Sequence, residues 1–357
     1  MITIQLAGAF AFIALLVCGD ARQLAASPIK SDEDVVVFPV SAAKQRDGSW
    51  QIPAHVWVYE PVDWSAANGL LRTVAAQLGI DDIGDKADIF AERAKWFAVD
   101  NEGFKQVAVA MAGERWTLDD TGSNGHAETG LTYRSPSPPA SEVALKVVLP
   151  NGDSRNFQGT VEFIPQTGVT VISDVDDTIK ISNVPDKQAL LENTFLKPFA
   201  VTPGMPALYK KLAGEGHHFH YVSASPWQLW PSLEPFIAKN YPQGTVAMRH
   251  FRLKDGSFVE FLAKPSYDFK VAAIAKIIIR YWGHQFILIG DSGECDPEIY
   301  GQMARWFPGR VIQITIRKVA GSNFSDERMR AAVGGAPPAR WEYIGEDVVA
   351  GDKGCKK

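Results

Sequence analysis

The chain has 357 residues, 46% of them apolar and 22% charged, with a formal net charge of −5. That length allows two ordinary domains, and the composition is that of a soluble globular protein with no sign of wholesale disorder. The acidic balance argues against a nucleic-acid partner, since such binders carry a basic excess. It also gives no overall attraction to an anionic membrane, although a local basic patch could still make peripheral contact.

Residues 2–17 carry no charged side chain and are too few for a comfortable membrane span. With Gly19 or Ala21 near a cleavage point, residues 1–26 read as a secretory signal peptide. The chain is therefore expected to be exported, whether secreted, periplasmic or associated with the cell envelope. No Lys or Arg precedes the apolar run, a departure from the usual leader. Leu15-Leu16-Val17-Cys18 resembles a lipoprotein box and supplies the alternative reading, although Val17 is bulky for its place. The three cysteines, Cys18, Cys295 and Cys355, form neither a disulfide framework nor a zinc spacing. Cys295 is expected to fill space in a loop.

From 28 to 165 the segments look like strands: Val35–Phe38, Gln51–Tyr59, Phe104–Ala110, Glu142–Leu149 and Thr160–Ile164. Alternation, β-branched residues and turn pairs such as Asn151-Gly152 support that reading. One helical insertion, about Ala66 to Leu78, interrupts them. Met111 to Ser137 is polar and Gly-rich, ends in Ser135-Pro136-Ser137-Pro138-Pro139, and reads as a loop. The expected architecture is an antiparallel β-sandwich.

From about 166 to 320 the character changes. Apolar strand-like runs (Val169–Ser173, His218–Ser223, Phe286–Gly290, Val311–Ile316) alternate with amphipathic stretches near 206–214, 233–240, 269–282 and 297–306. This is the pattern of βαβ units, so an α/β domain with a parallel, Rossmann-like sheet is expected. Residues 321–357 read as a polar tail with one short helix, Asp326 to Val333.

Ligands of an open parallel sheet collect outside the carboxyl ends of its strands. Asp174 and Asp176 lie where the run Val169-Thr170-Val171-Ile172 ends. Along an extended chain residues i and i+2 point the same way, so the two carboxylates are expected to share a face, with Thr178 capping the next turn or touching a phosphate. Ser223 ends a second run and offers a hydroxyl and an N–H to a phosphoryl oxygen, with Ser225 as the alternative. Lys270 falls in the first turn of a helix that must start at the same sheet edge, with Asp268 as its expected N-cap. A lysine there would neutralise phosphoryl oxygens. Asp291 and Asp296 follow the run Phe286-Ile287-Leu288-Ile289. A Mg2+ ion takes few protein carboxylates along with phosphate and waters. Asp174, Asp291 and Asp176 (through its carbonyl), with Asp296 bound directly or through water, are the candidate ligands.

The order Asp-x-Asp-x-Thr, Ser, Lys and Gly-Asp-x-x-x-x-Asp on successive strands resembles the haloacid dehalogenase (HAD) superfamily of aspartate-nucleophile phosphatases. Ser173-Asp174-Val175-Asp176-Asp177-Thr178-Ile179-Lys180, Tyr221-Val222-Ser223-Ala224-Ser225-Pro226-Trp227 and Ile289-Gly290-Asp291-Ser292-Gly293-Glu294 are similar to the catalytic domain of the actin-patch-type phosphatidate phosphatases. The resemblance covers about 168–320. It implies a Mg2+-dependent phosphoric monoester hydrolase that works through an aspartyl-phosphate, with Asp174 as nucleophile and Asp176 as acid and base. It further implies phosphatidate as substrate, with diacylglycerol and phosphate as products. Lys180, Ser225 and Arg249 join the list as candidate substrate contacts. The alternatives are a phosphatase of soluble or protein-bound phosphomonoesters and a non-catalytic phospholipid-recognition module. Retention of both Asp174 and Asp176 favours an enzyme.

Other features have plainer readings. His217, His218 and His220 lack the acid or thiol spacing of a metal site and suit the start of a strand. Arg249-His250-Phe251-Arg252-Leu253-Lys254 could meet an anionic headgroup, or protect an edge strand with charge. Trp227 and Trp230 suit core packing better than a lipid contact. The segments between the acid-bearing strands leave little chain for a capping domain, so an open active site is expected. The sequence gives no oligomeric state.

Overall fold

In the computed structural model residues 26–62, 68–252, 256–335, 340–345, 351 and 355 are described. The expected leader and its Cys18 lie outside these residues, apart from residue 26. No helix among the described residues is long and apolar enough to cross a membrane.

The first half builds a nine-stranded sheet. Its elements are β1 (Asp34–Val37), β2 (Val40–Lys44), β3 (Trp50–Glu60), α1 (Asn68–Leu78), α2 (Ala87–Ala98), β4 (Asp100–Asn101), β5 (Ala108–Met111), β6 (Glu114–Thr117), β7 (His126–Tyr133), β8 (Glu142–Val147) and β9 (Gln158–Ile164). β3 organises it, pairing with β7 along one edge and with β1 and β2 along the other. Pairing is antiparallel except between β2 and β9, which run parallel, so the sheet is mixed rather than purely antiparallel. Ile52, Ala54, Val56 and Val58 of β3 share a core with Val109 of β5, Leu145 of β8 and Val161 of β9. On the opposite face of β3, Trp57 and Tyr59 are buried in a different cluster. Two buried faces explain why β3 is apolar almost throughout.

The second half is a six-stranded sheet, parallel at every pairing. It comprises β10 (Gly168–Asp174), α3 (Lys187–Phe195), α4 (Met205–Gly214), β11 (His218–Pro226), α5 (Trp230–Asn240), β12 (Thr245–Arg249), α6 (Phe258–Ala263), α7 (Tyr267–Arg280), β13 (His284–Asp291), α8 (Asp296–Trp306), β14 (Val311–Arg317), α9 (Asp326–Val333) and β15 (Arg340–Ile344). The order is β12-β11-β10-β13-β14-β15. The chain therefore winds outward from β10 in one direction, returns to its other side at β13, and winds outward again. Such a switch point opens a crevice beyond the carboxyl ends of the two central strands. Successive residues of β10 serve opposite faces: Val171 packs with α4 and α5, and Ile172 packs with α7 and α8. Burying each such side chain contributes about 1.5–3 kcal/mol, which accounts for the unbroken apolar run.

Several expectations need correction. The stretch taken as a loop from Met111 to Ser137 contains β6 and β7, and β7 pairs with β3 from Trp50 to Trp57. Ala127, Leu131 and Tyr133 are its buried contacts, and the polar residues between them lie on the other face or at its edges. The tail expected to carry only a helix also supplies the edge strand β15, whose Trp341 and Tyr343 pack on the core. Cys295 does not merely fill space; it is disulfide-bonded to Cys355. The helix carrying Lys270 is preceded by Ser266, and Asp268 lies in its first turn rather than at its N-cap.

Candidate active site

Asp174 is the last residue of β10, and its Cα partner on β11 is Val222. Ser223 therefore lies one residue beyond it. Ser173 pairs with Ile289 of β13, which puts Asp291 one residue past the level of Asp174. Asp296 opens α8 and reaches back over Gly290, where a Cβ would stand 2.3 Å from its Oδ2. A side chain at 290 would exclude Asp296. One oxygen from each of Asp174, Asp291 and Asp296 lies within 4.8 Å of the others, and all three residues are buried.

Lys270, 1% exposed, enters this cluster from the first turn of α7. Its Nζ donates to Asp296 Oδ1 at 2.8 Å and to Glu294 Oε2 at 2.9 Å. It also stands 2.8 Å from Asp174 Oδ1, an ion pair whose angle does not suit a hydrogen bond. Both oxygens of Asp174, together with Asp291 Oδ2, are thus buried without a hydrogen bond. Burial pushes the Asp174 carboxyl well above the usual range, opposed by Lys270 and reinforced by Asp296 and Glu294. Burial, then Asp296 and Asp174, does the same to Asp291. Burial lowers the Lys270 ammonium, but the four surrounding acids outweigh it and hold its pKa well above normal. Four carboxyl groups crowd one ammonium. Unpartnered buried oxygens on hard ligands are what a divalent cation such as Mg2+ requires, so the residues fit such an ion.

Asp176 departs from expectation. Its Oδ2 accepts from Ser223 Oγ at 3.0 Å and Ser225 Oγ at 2.9 Å. Its Oδ1 accepts from Ser182 Oγ at 2.7 Å and faces Lys180 Nζ at 2.9 Å. The carboxylate is therefore outside the cluster of Asp174, Asp291 and Asp296, and the ligand expected of this residue is its backbone carbonyl. The i, i+2 rule holds only while the chain stays extended. Here the chain turns directly after the strand: the N–H groups of Thr178, Ile179 and Lys180 all point to Val175 O, and Asp177 is left-handed with φ 57°. Burial raises the Asp176 carboxyl, but the Lys180 ammonium and the surrounding hydroxyls prevail and hold it below the usual carboxylate range.

Thr178 is fully buried, and its Oγ1 has no partner. Lys180 is buried beside Asp176 and Ser182, with the Phe199 ring 5.2 Å away. Arg249 ends β12 opposite Pro226 of β11, its guanidinium 4.2 Å from the centre of the Phe261 ring; burial lowers its pKa and the charge of Glu294 opposes that. The three strand-start histidines take no part in the site; His218 pairs with Glu162 and His220 with Thr245. Trp227 and Trp230 are core residues.

Four contributors were not foreseen. Glu294 is the third acid on Lys270 and lies within the quoted acidic loop. Ser182 bridges Lys180 and Asp176. Asp177 accepts from the N–H groups of Ser182, Asn183 and Val184 at 2.6–2.9 Å, shaping the turn that redirects Asp176. The fourth, Arg328, comes from the tail.

The active site was expected to be open, yet Asp174 is only 2% exposed. The cover comes from Lys270 and from packing around the carboxyl edge, with no separate capping domain between β10 and β13 among the described residues.

Residues 169–318 match the family model described as "Phosphatidate phosphatase APP1, catalytic domain". Over that segment the chain is similar to the APP1 catalytic-domain family. Within it lie Asp174, Asp176, Asp291, Glu294, Asp296 and Lys270. Phosphatidate phosphatase APP1 of Saccharomyces cerevisiae is 34% identical over 164 residues, covering 45% of this chain and 27% of the yeast protein. An uncharacterized protein of Schizosaccharomyces pombe is 32% identical over 170 residues, covering 46% of this chain and 27% of its own length. The chain thus spans about a quarter of these relatives. Among solved structures, a chitinase, ChiW, from Paenibacillus aligns over 89% of this chain and 33% of its own, at 9% identity. Its TM-score of 0.17 lends no weight to a common fold.

Proposed function

We propose that this chain is a Mg2+-dependent phosphatase of HAD fold that hydrolyses phosphatidate to diacylglycerol and phosphate through an aspartyl-phosphate. The observation that carries this reading is the buried triangle of Asp174, Asp291 and Asp296 at the switch point, in which both oxygens of Asp174 and Oδ2 of Asp291 accept no hydrogen bond. The family of residues 169–318 supports the substrate class.

Asp174, Asp291 and Asp296 would hold the ion, which when bound supplies charge neutralisation for nucleophile and phosphate. Asp174 Oδ2, which no protein donor engages, attacks phosphorus, forming the acyl-phosphate as the ester P–O bond breaks. The leaving alkoxide takes a proton from Asp176, which then removes one from the water that splits the acyl-phosphate and frees Asp174. At rest Asp176 is held deprotonated by Lys180 and three hydroxyls. Its protonation therefore requires Lys180, Ser223 and Ser225 to release it, as they would on turning toward the incoming phosphoryl oxygens. Lys270 keeps Asp174 oriented.

A second reading, a phosphatase of soluble phosphomonoesters, is favoured by the 2% exposure of Asp174, since a membrane-held headgroup must reach a buried oxygen. We also take residues 1–26 as an export leader. The Cys295–Cys355 bridge supports that reading, because disulfides persist in oxidising compartments. The deciding assay compares Mg2+-dependent phosphate release from phosphatidate in mixed vesicles with release from a soluble phosphomonoester. Preference for the vesicle supports the lipid substrate, and preference for the soluble ester supports the second reading. Asp174→Asn should abolish turnover of either without unfolding the chain. Substantial residual activity in that variant would exclude the covalent route.

A further inference from the structure

Arg328 lies ten residues beyond the end of the family match, on α9. Its guanidinium is buried and uses all five N–H donors. Nε and Nη2 grip the Glu298 carboxylate at 2.8 and 2.9 Å. Nη1 donates to Ser292 O at 2.7 Å and Asn323 O at 2.6 Å, and Nη2 also donates to Glu294 O at 2.7 Å. Ser292 and Glu294 are the backbone between Asp291 and Asp296. We propose that Arg328 is a positioning residue for the acidic loop: it fixes the backbone that carries Asp291, Glu294 and Asp296, and through them the candidate cation site.

Two further contacts bind the same loop to the tail. Ser292 Oγ lies 2.6 Å from Ser322 Oγ, and Cys295 is bonded to Cys355. The support beneath is stiff, because α9 presses so closely on α8 that a Cβ at Gly301 would lie 1.9 Å from Ala332 O. The loop must hold two acids close to Asp174 against mutual repulsion. Within the loop, Gly293 N donates to Asp291 Oδ1 and Asp291 N to Asp296 Oδ2. A planar fork reaching two loop carbonyls from outside supplies what the loop lacks. Lysine, a single flexible point charge, cannot serve both carbonyls and the bidentate Glu298 at once.

The role at the cation site rests on the metal reading above, so the test has two arms. Amide hydrogen exchange is followed at residues 292–296 in wild type, Arg328→Ala and Arg328→Lys, and Mg2+ binding to each protein is measured by calorimetry. Exchange in this loop should rise about 10-fold or more in both variants while amides of β10 and β13 stay protected, and Mg2+ should bind about 10- to 100-fold more weakly. Loop exchange equal to wild type would overturn the proposal, as would a uniform rise across both sheets. If Arg328→Ala does not fold, Arg328→Lys decides alone. Should wild type bind no Mg2+, the cation reading falls, and loop exchange by itself decides whether Arg328 fixes this segment.

Discussion

Gly290→Ala is the sharpest test of the site's packing. The added Cβ would lie 2.3 Å from Asp296 Oδ2 and 2.7 Å from both Cβ and Cγ of Asp296. Turning the carboxylate aside relieves the first contact but not the others, because Cβ is tied to the backbone where α8 begins. The start of α8 must therefore retreat, carrying Asp296 away from Lys270 and from the N–H of Asp291, now 2.8 and 3.1 Å distant. Overpacking costs about 1–3 kcal/mol, and a lost charge-assisted hydrogen bond adds about 1.5–3 kcal/mol, giving a destabilisation of about 2.5–6 kcal/mol. Turnover should fall about 100-fold, as small displacements in a site do. The control is Gly214→Ala at the end of α4, where a Cβ meets nothing within 4 Å; it should be neutral or stabilise by about 0.5–1 kcal/mol. Denaturant unfolding and phosphate release measure both. A Gly290→Ala protein with wild-type stability and rate would refute the claim that Asp296 is seated on the bare backbone of residue 290.

Two further outcomes follow from buried chemistry elsewhere. His55 and His220 are held neutral by burial, each with its pKa lowered from 6.5 to about 3. A depressed imidazole leaves stability intact above the unfolded value and erodes it as pH falls from 6.5 toward 3. Each should therefore cost about 2 kcal/mol at pH 5 relative to pH 7; urea midpoints at the two pH values check this, and His220→Gln should flatten the slope. Cys355→Ser opens a bridge between residues 60 apart in sequence, worth about 4 kcal/mol by loop entropy. Reductant should lower the melting temperature of wild type toward that of the variant, and indifference of wild type to reductant would exclude the bridge.

The strands β10, β11, β13 and β14 were legible because each is buried on both faces, which leaves an apolar run that no solvent-facing residue interrupts. Elements with weaker patterns were not. In α3, Leu191, Thr194 and Phe195 are buried on a short helix that is otherwise polar, and its clearest signal is local: Asp186 accepts from Ala189 N at 3.1 Å as an N-cap. β15 is an edge strand of five residues whose Trp341 and Tyr343 alternate with charge, too brief to stand out from a tail. At the site, residue type and order identified Asp174, Asp291, Asp296 and Lys270, all fixed at strand or helix ends. Side-chain partners were not legible where the chain left regular structure: Asp176 meets Lys180, Ser182, Ser223 and Ser225 there. Arg328 gave no signal of its role at the acidic loop, since its partners there, Ser292 and Glu294, and its ion-pair partner Glu298 lie 30 or more positions away.

The closing of the carboxyl edge around the site has the same origin in long-range packing. Counting residues between β10 and β13 correctly leaves no room for a cap, but the count ignores what the other half contributes. α2 packs on α3 and on the 3-10 turn Trp227–Leu229, and α1 packs on α6. All three contacted segments sit at or leave the carboxyl edge of the parallel sheet. Phe97 of α2 lies 5.5 Å from Phe195 and 5.4 Å from Phe258, ring centre to ring centre, in one core that also holds Trp57 and Tyr59 of β3. The helical insertion between β3 and β4 therefore covers the edge that a capping domain would cover. The second apolar face of β3, without purpose in an isolated sandwich, is what fastens that cover to the site-bearing half.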